Sequence, residues 1–218
     1  MWLASAEVPL ALYGAELIRS RLQNLEWVSE IALAHAAVVE HFARARGATV
    51  VPMKLFTLFS SVERALAEMH ARRLPLGRVI KRIRGADEWG VRIARNTAFA
   101  GGEAVPVGPA SSGAAFLAAK KRARDQARAQ SVGAAQAAER SLEALARLAK
   151  GTRRQPPPEG AAAPPLVDAA LLVPSSRKEK FKLAARREAE RCRTAGADLT
   201  LTGPWPAYNF VQLEEARS

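Results

Sequence analysis

The order of predicted elements is that of an α+β protein of two modules, the second a modified ferredoxin-like βαβ sheet with a long helix. Three observations carry this. Strand- and helix-period patterns are mixed through residues 1–86, which read as an N-terminal α+β domain. Residues 87–218 read strand, long helix, strand, helix, strand, the order of a split βαβ unit. A stretch rich in Pro and Gly, residues 151–165, interrupts the second module and reads as a mobile linker.

At 218 residues the chain is long enough to bury a substantial core. Its hydrophobic and charged fractions are ordinary for a globular protein, but a formal net charge of +12 is not. Such a field favours acidic proteins, nucleic acid or anionic surfaces as partners. Cys192 is the single cysteine, so an intrachain disulfide and a cysteine cage for metal are both excluded. That usage suits a reducing cytosol. The first residues lack a basic n-region, so no signal peptide is expected. No apolar run reaches the ~20 residues of a membrane helix.

Residues 2–10 read as a short strand ending at Pro9. Residues 20–46 read as a helix, with Ser20 and Gln23 as a capping box, Asn24 as a competing N-cap and Gly47 just past the end. Two adjacent stripes give it a wide apolar face: Leu22, Leu25, Ser29, Ala32, Ala36 and Val39 in one, Trp27, Ile31, Ala34, Val38 and Phe42 in the other. His35 lies among them and reads as a hydrogen-bonded core histidine. Residues 49–58 read as a strand with an edge or bulge at Pro52. A helix over 60–71 opens with Ser60 and Glu63 as a capping box and packs through Val62, Leu66 and Met69. Another starts at Pro75 with Leu76, Val79, Ile80 and Ile83 inward and ends at Gly85. Its outer face carries Arg72, Arg73, Arg78, Lys81, Arg82 and Arg84 with no acid between them.

The second module opens with a strand over 88–95, Trp89, Val91 and Ile93 on one face and Gly90 a bulge candidate. Residues 97–109 read as a loop. Residues 111–150 read as a helix with an alanine-rich stripe from Phe116 to Ala149 and a basic first half. At ~1.5 Å per residue it outruns a compact domain, which predicts an overhang or a break near Gly133. Residues 166–173 are apolar on both faces except Asp168, as a central strand would be. Ser176 and Glu179 form a third capping box before a basic helix over 177–193, with Phe181, Ala185, Ala189 and Cys192 inward. Cys192 reads there as apolar packing. The last strand starts at Ala197, and Gly203-Pro204 ends it. Prolines on either side of Trp205 hold the segment extended and present Trp205, Tyr208 and Phe210.

Several segments together resemble the gas vesicle accessory proteins of the F/L family. Residues 200–211 resemble its C-terminal signature. His35 with Val38-Val39 resembles its His-x-x-Val helix. Val50-Val51-Pro52-Met53-Lys54 with Thr57-Leu58-Phe59 resembles its Val-Pro-Met-Arg-Phe-Gly-Thr strand. Glu88-Trp89-Gly90-Val91-Arg92 resembles Glu-Trp-Gly-Val-Lys. Ser112-Gly113-Ala114-Ala115-Phe116-Leu117 with Lys120-Lys121 resembles the start of its long basic helix. The segments occur in the family's order and span most of the chain. The sequence departs from the pattern at Lys54-Leu55-Phe56, where Arg-Phe-Gly is usual, and a bulky Phe56 argues against a positive φ there. Family members begin further upstream with one more strand, so the resemblance implies that this strand is missing here.

The resemblance implies a non-enzymatic, cytoplasmic, vesicle-associated assembly factor that binds the hydrophobic shell protein and other gas vesicle accessory proteins. The candidate binding residues are Trp205, Tyr208 and Phe210 on the stiff aromatic segment and Arg78 and Arg82 on the basic helix. Nucleotide, dinucleotide, zinc-protease and hydrolase motifs are missing from the sequence, so no catalytic, cofactor or metal residue is assigned. The alternative is a basic nucleic-acid-binding protein with a ferredoxin-like sheet. It rests on the net charge, and Tyr208-Asn209-Phe210-Val211 lacks the basic start of an RNP1 motif.

Overall fold

A computed structural model of the chain describes residues 1–45, 47–96, 113–157, 160 and 163–212. Its contacts divide it into two units, Met1–Gly85 with Trp205–Ser218, and Ala86–Pro204. The sequence predicts one domain from 87 onward, whereas the contacts group the segment from Trp205 with the N-terminal unit.

Five helices form the described part of the first unit before Gly85: α1 (Leu10–Tyr13), α2 (Ala15–Arg21), α3 (Leu25–Ala43), α4 (Val62–Ala71) and α5 (Arg73–Ile83). The strand expected over 2–10 is not formed. The Pro9 carbonyl accepts from the amides of Leu12 and Tyr13, so Pro9 opens a helical turn, where its missing N–H costs nothing. The helix expected over 20–46 is split. Ser20 lies inside α2, where its hydroxyl donates to the Leu17 carbonyl, while Asn24 caps α3 by accepting from the Trp27 amide at 3.1 Å. Ser61, not Ser60, caps α4. The Glu63 carboxyl is held below its ordinary range chiefly by its hydrogen bond with Ser61. The inward residue of α4 is Ala65, whereas Val62 and Leu66 are exposed. On α5, Leu76, Val79 and Ile83 are buried as expected, and Gly85 follows at φ +62°.

Residues 49–58 also form no strand; the described residues before Ala86 contain none. Pro52 supplies no ladder donor, and with residues 2–10 helical or irregular there is no partner strand. The chain instead turns at Lys54–Thr57, where the Lys54 carbonyl accepts from both the amide and the hydroxyl of Thr57. Phe56 sits in that turn at φ +60°, which overturns the expectation drawn from its bulk. The offset is visible in its surroundings. Its ring stacks on Trp27 at 5.4 Å and 15°, Trp27 also meets Tyr13 at 6.0 Å, and the Arg21 guanidinium lies 5.5 Å from the Trp27 ring centre. A left-handed non-glycine residue costs roughly 1–2 kcal/mol, and an aromatic pair returns about 0.5–1.5 kcal/mol beyond area burial. Phe56→Gly is therefore expected to be more stable than Phe56→Ala by about 1 kcal/mol in urea unfolding, because alanine keeps the strain and loses the ring. Equal midpoints would show that position 56 is not held in the left-handed region.

The second unit is a four-stranded sheet, β1 (Ala86–Arg95), β2 (Gly151–Arg154), β3 (Val167–Pro174) and β4 (Ala197–Trp205), in the order β2–β3–β1–β4. With α6 (Gly113–Ala146) after β1 and α7 (Lys178–Thr194) after β3, the element order is βαββαβ, the ferredoxin-like arrangement. β3 pairs antiparallel with both β1 and β2. Trp89, Val91 and Ile93 of β1 and Val167, Ala169, Leu171 and Val173 of β3 share a core with Ala134, Ala138, Leu142 and Leu145 of α6 and Phe181, Ala185 and Cys192 of α7. Asp168, the one charged residue in β3, stands opposite Arg92 in the register and accepts from its Nε and Nη2 at 3.0 and 2.7 Å.

Several finer expectations change here. Residues 151–154, read as the start of the linker, form β2. A four-residue edge strand with two arginines is too short to show a period and too charged to resemble a core strand. Arg154 pairs with Glu139 of α6, whose carboxyl this partner lowers. Both side chains are about half exposed, so the pair is worth at most about 1 kcal/mol, present above the ordinary carboxylate range and lost as pH falls through the lowered value. Gly90 makes no bulge against β3, since the β1–β3 register runs unbroken past it. A Cβ at Gly90 would instead lie 2.5 Å from Thr202 Oγ1 of β4. Arg177, not Ser176, holds the N-cap position of α7 and makes no side-chain capping hydrogen bond; a turn of 3-10 helix, Ser175–Arg177, leads into the helix in place of the Ser176 box. α6 runs without a break through Gly133. β4 continues through Gly203, whose φ of +113° only glycine accepts readily, to Trp205. The loop expected over 97–109 lies outside the described residues.

Candidate partner-binding surface

Trp205 closes β4 with 46% of its surface exposed. Tyr208 and Phe210 follow in a turn of 3-10 helix, Tyr208–Phe210. They are not presented alike. Phe210 is buried at 3% exposure, as is Ala207 beside it, and Tyr208 is half-buried. Proline stiffness made all three look available; the 3-10 turn rotates Phe210 inward and leaves Trp205 as the accessible ring of the segment.

Arg78 and Arg82 lie on α5, four residues apart and so on one face. Both are exposed, as are Arg73 and Lys81. α5 turns its cations outward because Leu76, Val79 and Ile83 occupy the opposite stripe. Arg72 pairs with Glu68 one turn earlier, and among the described residues Arg73, Arg78, Lys81 and Arg82 make no ion pair. The basic helix α7 differs. Lys182, Arg191 and Arg193 are matched by Glu179, Glu188 and Glu190 along the same helix. Of these two basic helices, α5 is the less neutralised.

α3 adds a feature that the sequence reading missed. It is apolar nearly all round, yet of its residues only Val39 is fully buried. Its packed side runs through Val28, Ile31, Ala32 and His35, between the two predicted stripes. Leu25, Leu33, Val38 and Phe42 are left exposed. His35 Nε2 is buried without a hydrogen-bond partner among the described residues, so the expectation of a hydrogen-bonded core histidine fails.

A buried polar cluster joins α6 to α7. Ser141 Oγ donates to Glu188 Oε2 at 3.0 Å and lies 3.3 Å from Cys192 Sγ, while Arg191 donates to Glu188 at 2.7 Å. Glu188 takes the inward place that the pattern gave to Ala189. Burial pushes the Cys192 thiol up, against the hydrogen bond with Ser141, and Glu188 and Asp198 push it further. A fully enclosed thiol held protonated is a packing group. Native Cys192 is expected to react with iodoacetamide at least about a hundredfold more slowly than the urea-unfolded chain, by way of opening. Equal rates, followed by mass spectrometry, would refute this. Among the described residues no three His, Cys, Asp or Glu side chains gather as a metal site, and no helix is long and apolar enough to cross a membrane.

What this geometry offers is surface: an accessible tryptophan, an unneutralised basic helix face and exposed apolar side chains. The family described as Gas vesicle synthesis protein GvpL/GvpF matches residues 3–212, and the chain belongs to it. It is 29% identical to Gas vesicle protein L of Streptomyces sp. (strain CB03234), covering 95% of this chain and 79% of that one. Its fold is similar to the crystal structure of GvpF from Anabaena sp. PCC7120, with a TM-score of 0.61 at 14% identity, over 84% of this chain and 78% of that one. GvpF from Microcystis aeruginosa is similar at a TM-score of 0.56, also at 14% identity, with the same coverage of both chains.

Proposed function

We propose that this chain is a non-enzymatic accessory protein of gas vesicle assembly, acting in the cytoplasm and at the vesicle by binding the hydrophobic shell protein and other accessory proteins. The observation that carries this reading is family membership across residues 3–212. Physical support comes from the N-terminal unit. A protein that keeps a very apolar subunit assembly-competent needs apolar surface of its own, and Leu25, Leu33, Val38, Phe42 and Trp205 supply it. Arg78 and Arg82 supply charge that speeds encounter with an acidic partner.

The test is co-purification with the shell protein from nuclease-treated lysate. Retention of the shell protein after nuclease is the expected result. Loss of all binding on nuclease treatment, together with a steep salt slope for DNA or RNA, would replace this reading with the nucleic-acid one. Reversing Arg78 and Arg82 to Glu is expected to slow association with an acidic accessory partner and flatten its salt dependence, as read by stopped-flow kinetics. Unchanged kinetics would leave the α5 face a solubilising one.

A further inference from the structure

We infer that the first half of α6 is a docking surface for an acidic, amphipathic helix of a partner protein. The inference stands apart from the shell-protein reading, because it uses a different surface on the second unit. Residues 113–130 extend about 27 Å along the helix, and only Ala119 among them is even partly covered. An apolar stripe runs through Phe116, Ala119, Ala123 and Ala127. At helical spacing it is the same face that continues as Ala134, Ala138, Leu142 and Leu145, which are buried in the core. α6 therefore carries its core-facing stripe beyond the sheet, with nothing among the described residues closing over it.

Charge says what kind of partner fits. Lys120, Arg124 and Arg128 stand at successive four-residue steps along one edge of the stripe, joined by Lys121 and Arg122 and opposed by the single Asp125. All are exposed, and among the described residues none makes an ion pair. A row of like charges at this spacing costs helix stability. The helix persists because it is rich in alanine and grows from a packed second half. Carboxylates at the same four-residue step on a facing helix match the row. Alanines beneath let the two helix axes approach to about 8 Å, and Phe116 with Leu117 closes one end. A nucleic-acid strand would use the cations and leave the stripe uncovered, so the geometry favours a protein helix.

The test uses a synthetic 20-residue peptide with a Leu/Ala stripe flanked by Glu, a scrambled peptide of the same composition, and a 20-base single-stranded DNA. Each is titrated by fluorescence anisotropy against the full chain at 0.15 M salt. The ordered peptide is expected to bind at least about tenfold more tightly than either control. The variant Lys120→Glu/Arg124→Glu/Arg128→Glu is expected to weaken it by at least about tenfold. Ala123→Lys separates packing from charge. It adds a cation but blocks close approach, so weaker binding supports the inference. Unchanged or tighter binding to Ala123→Lys, equal binding of the scrambled peptide, or tighter binding of DNA would overturn it. These side chains are exposed, so circular dichroism and melting temperature are expected to match the wild type in both variants.

Discussion

Phe181→Ala is expected to destabilise the second unit by about 3–5 kcal/mol, the range for deleting an enclosed ring. Phe181 is fully buried at the start of α7. Its ring centre lies 5.7 Å from that of Trp89 in β1, tilted by 54°. The loss combines transfer of the ring to water, the cavity left among β1, β3 and α7, and the aromatic pair itself. Collapse around the site is hindered, because Leu171, Val173, Ala185 and Cys192 in the same core are themselves enclosed. Leu183→Ala is the matched control. It lies on the same helix, half exposed, and is expected to cost less than about 1 kcal/mol. Urea denaturation followed by tryptophan fluorescence reads both. A Phe181→Ala loss no larger than that of Leu183→Ala would mean that α7 is not docked through this ring.

The second unit was legible because its signals are long and mutually consistent. Alternation in β1 placed Trp89, Val91 and Ile93 on the core face. The continuous apolar run of β3 marked an interior strand, and the stripe on α7 placed Phe181, Ala185 and Cys192 inward. What failed there was short or depended on a neighbour. β2 is four residues of an edge, the α7 cap was assigned to Ser176 where Arg177 holds the N-cap position, and the constraint at Gly90 comes from Thr202 on another strand. The first unit was much less legible. Its apparent strands contain Pro9 and Pro52, and pairing could not be judged without knowing whether a partner strand existed. Phe56 misled for a physical reason. Backbone strain follows from the conformation of a turn, and what offsets it, the Trp27 ring, is 29 positions away. For the binding surface, residue type identified Trp205, Arg78 and Arg82 as candidates. It could not separate an exposed Trp205 from a buried Phe210, since that depends on a rotation of one 3-10 turn.

Trp205→Ala is expected to leave the protein folded and to weaken shell-protein binding by about thirtyfold to a hundred and fiftyfold. The two halves of this expectation come from the same number. With 46% of the residue in water, truncation opens no closed cavity, so the stability loss is expected to be about 1–2 kcal/mol, below the about 3–5 kcal/mol of an enclosed ring. Covering the remaining exposed ring in a complex is worth about 2–3 kcal/mol by area, which is that fold-change in Kd. Pro204 and Pro206 narrow the backbone choices of the free segment, so little ordering remains to be done on binding. Large aromatics held in this way are over-represented among interface hot spots. Phe210→Ala is the instructive contrast. Its ring is already buried, so its loss is expected to appear first as a lowered melting temperature, and any binding defect would follow from unfolding. Measuring the melting temperature and the shell-protein Kd of both variants separates the roles. A Trp205→Ala protein that melts normally and binds the shell protein as tightly as wild type removes this ring from the docking surface.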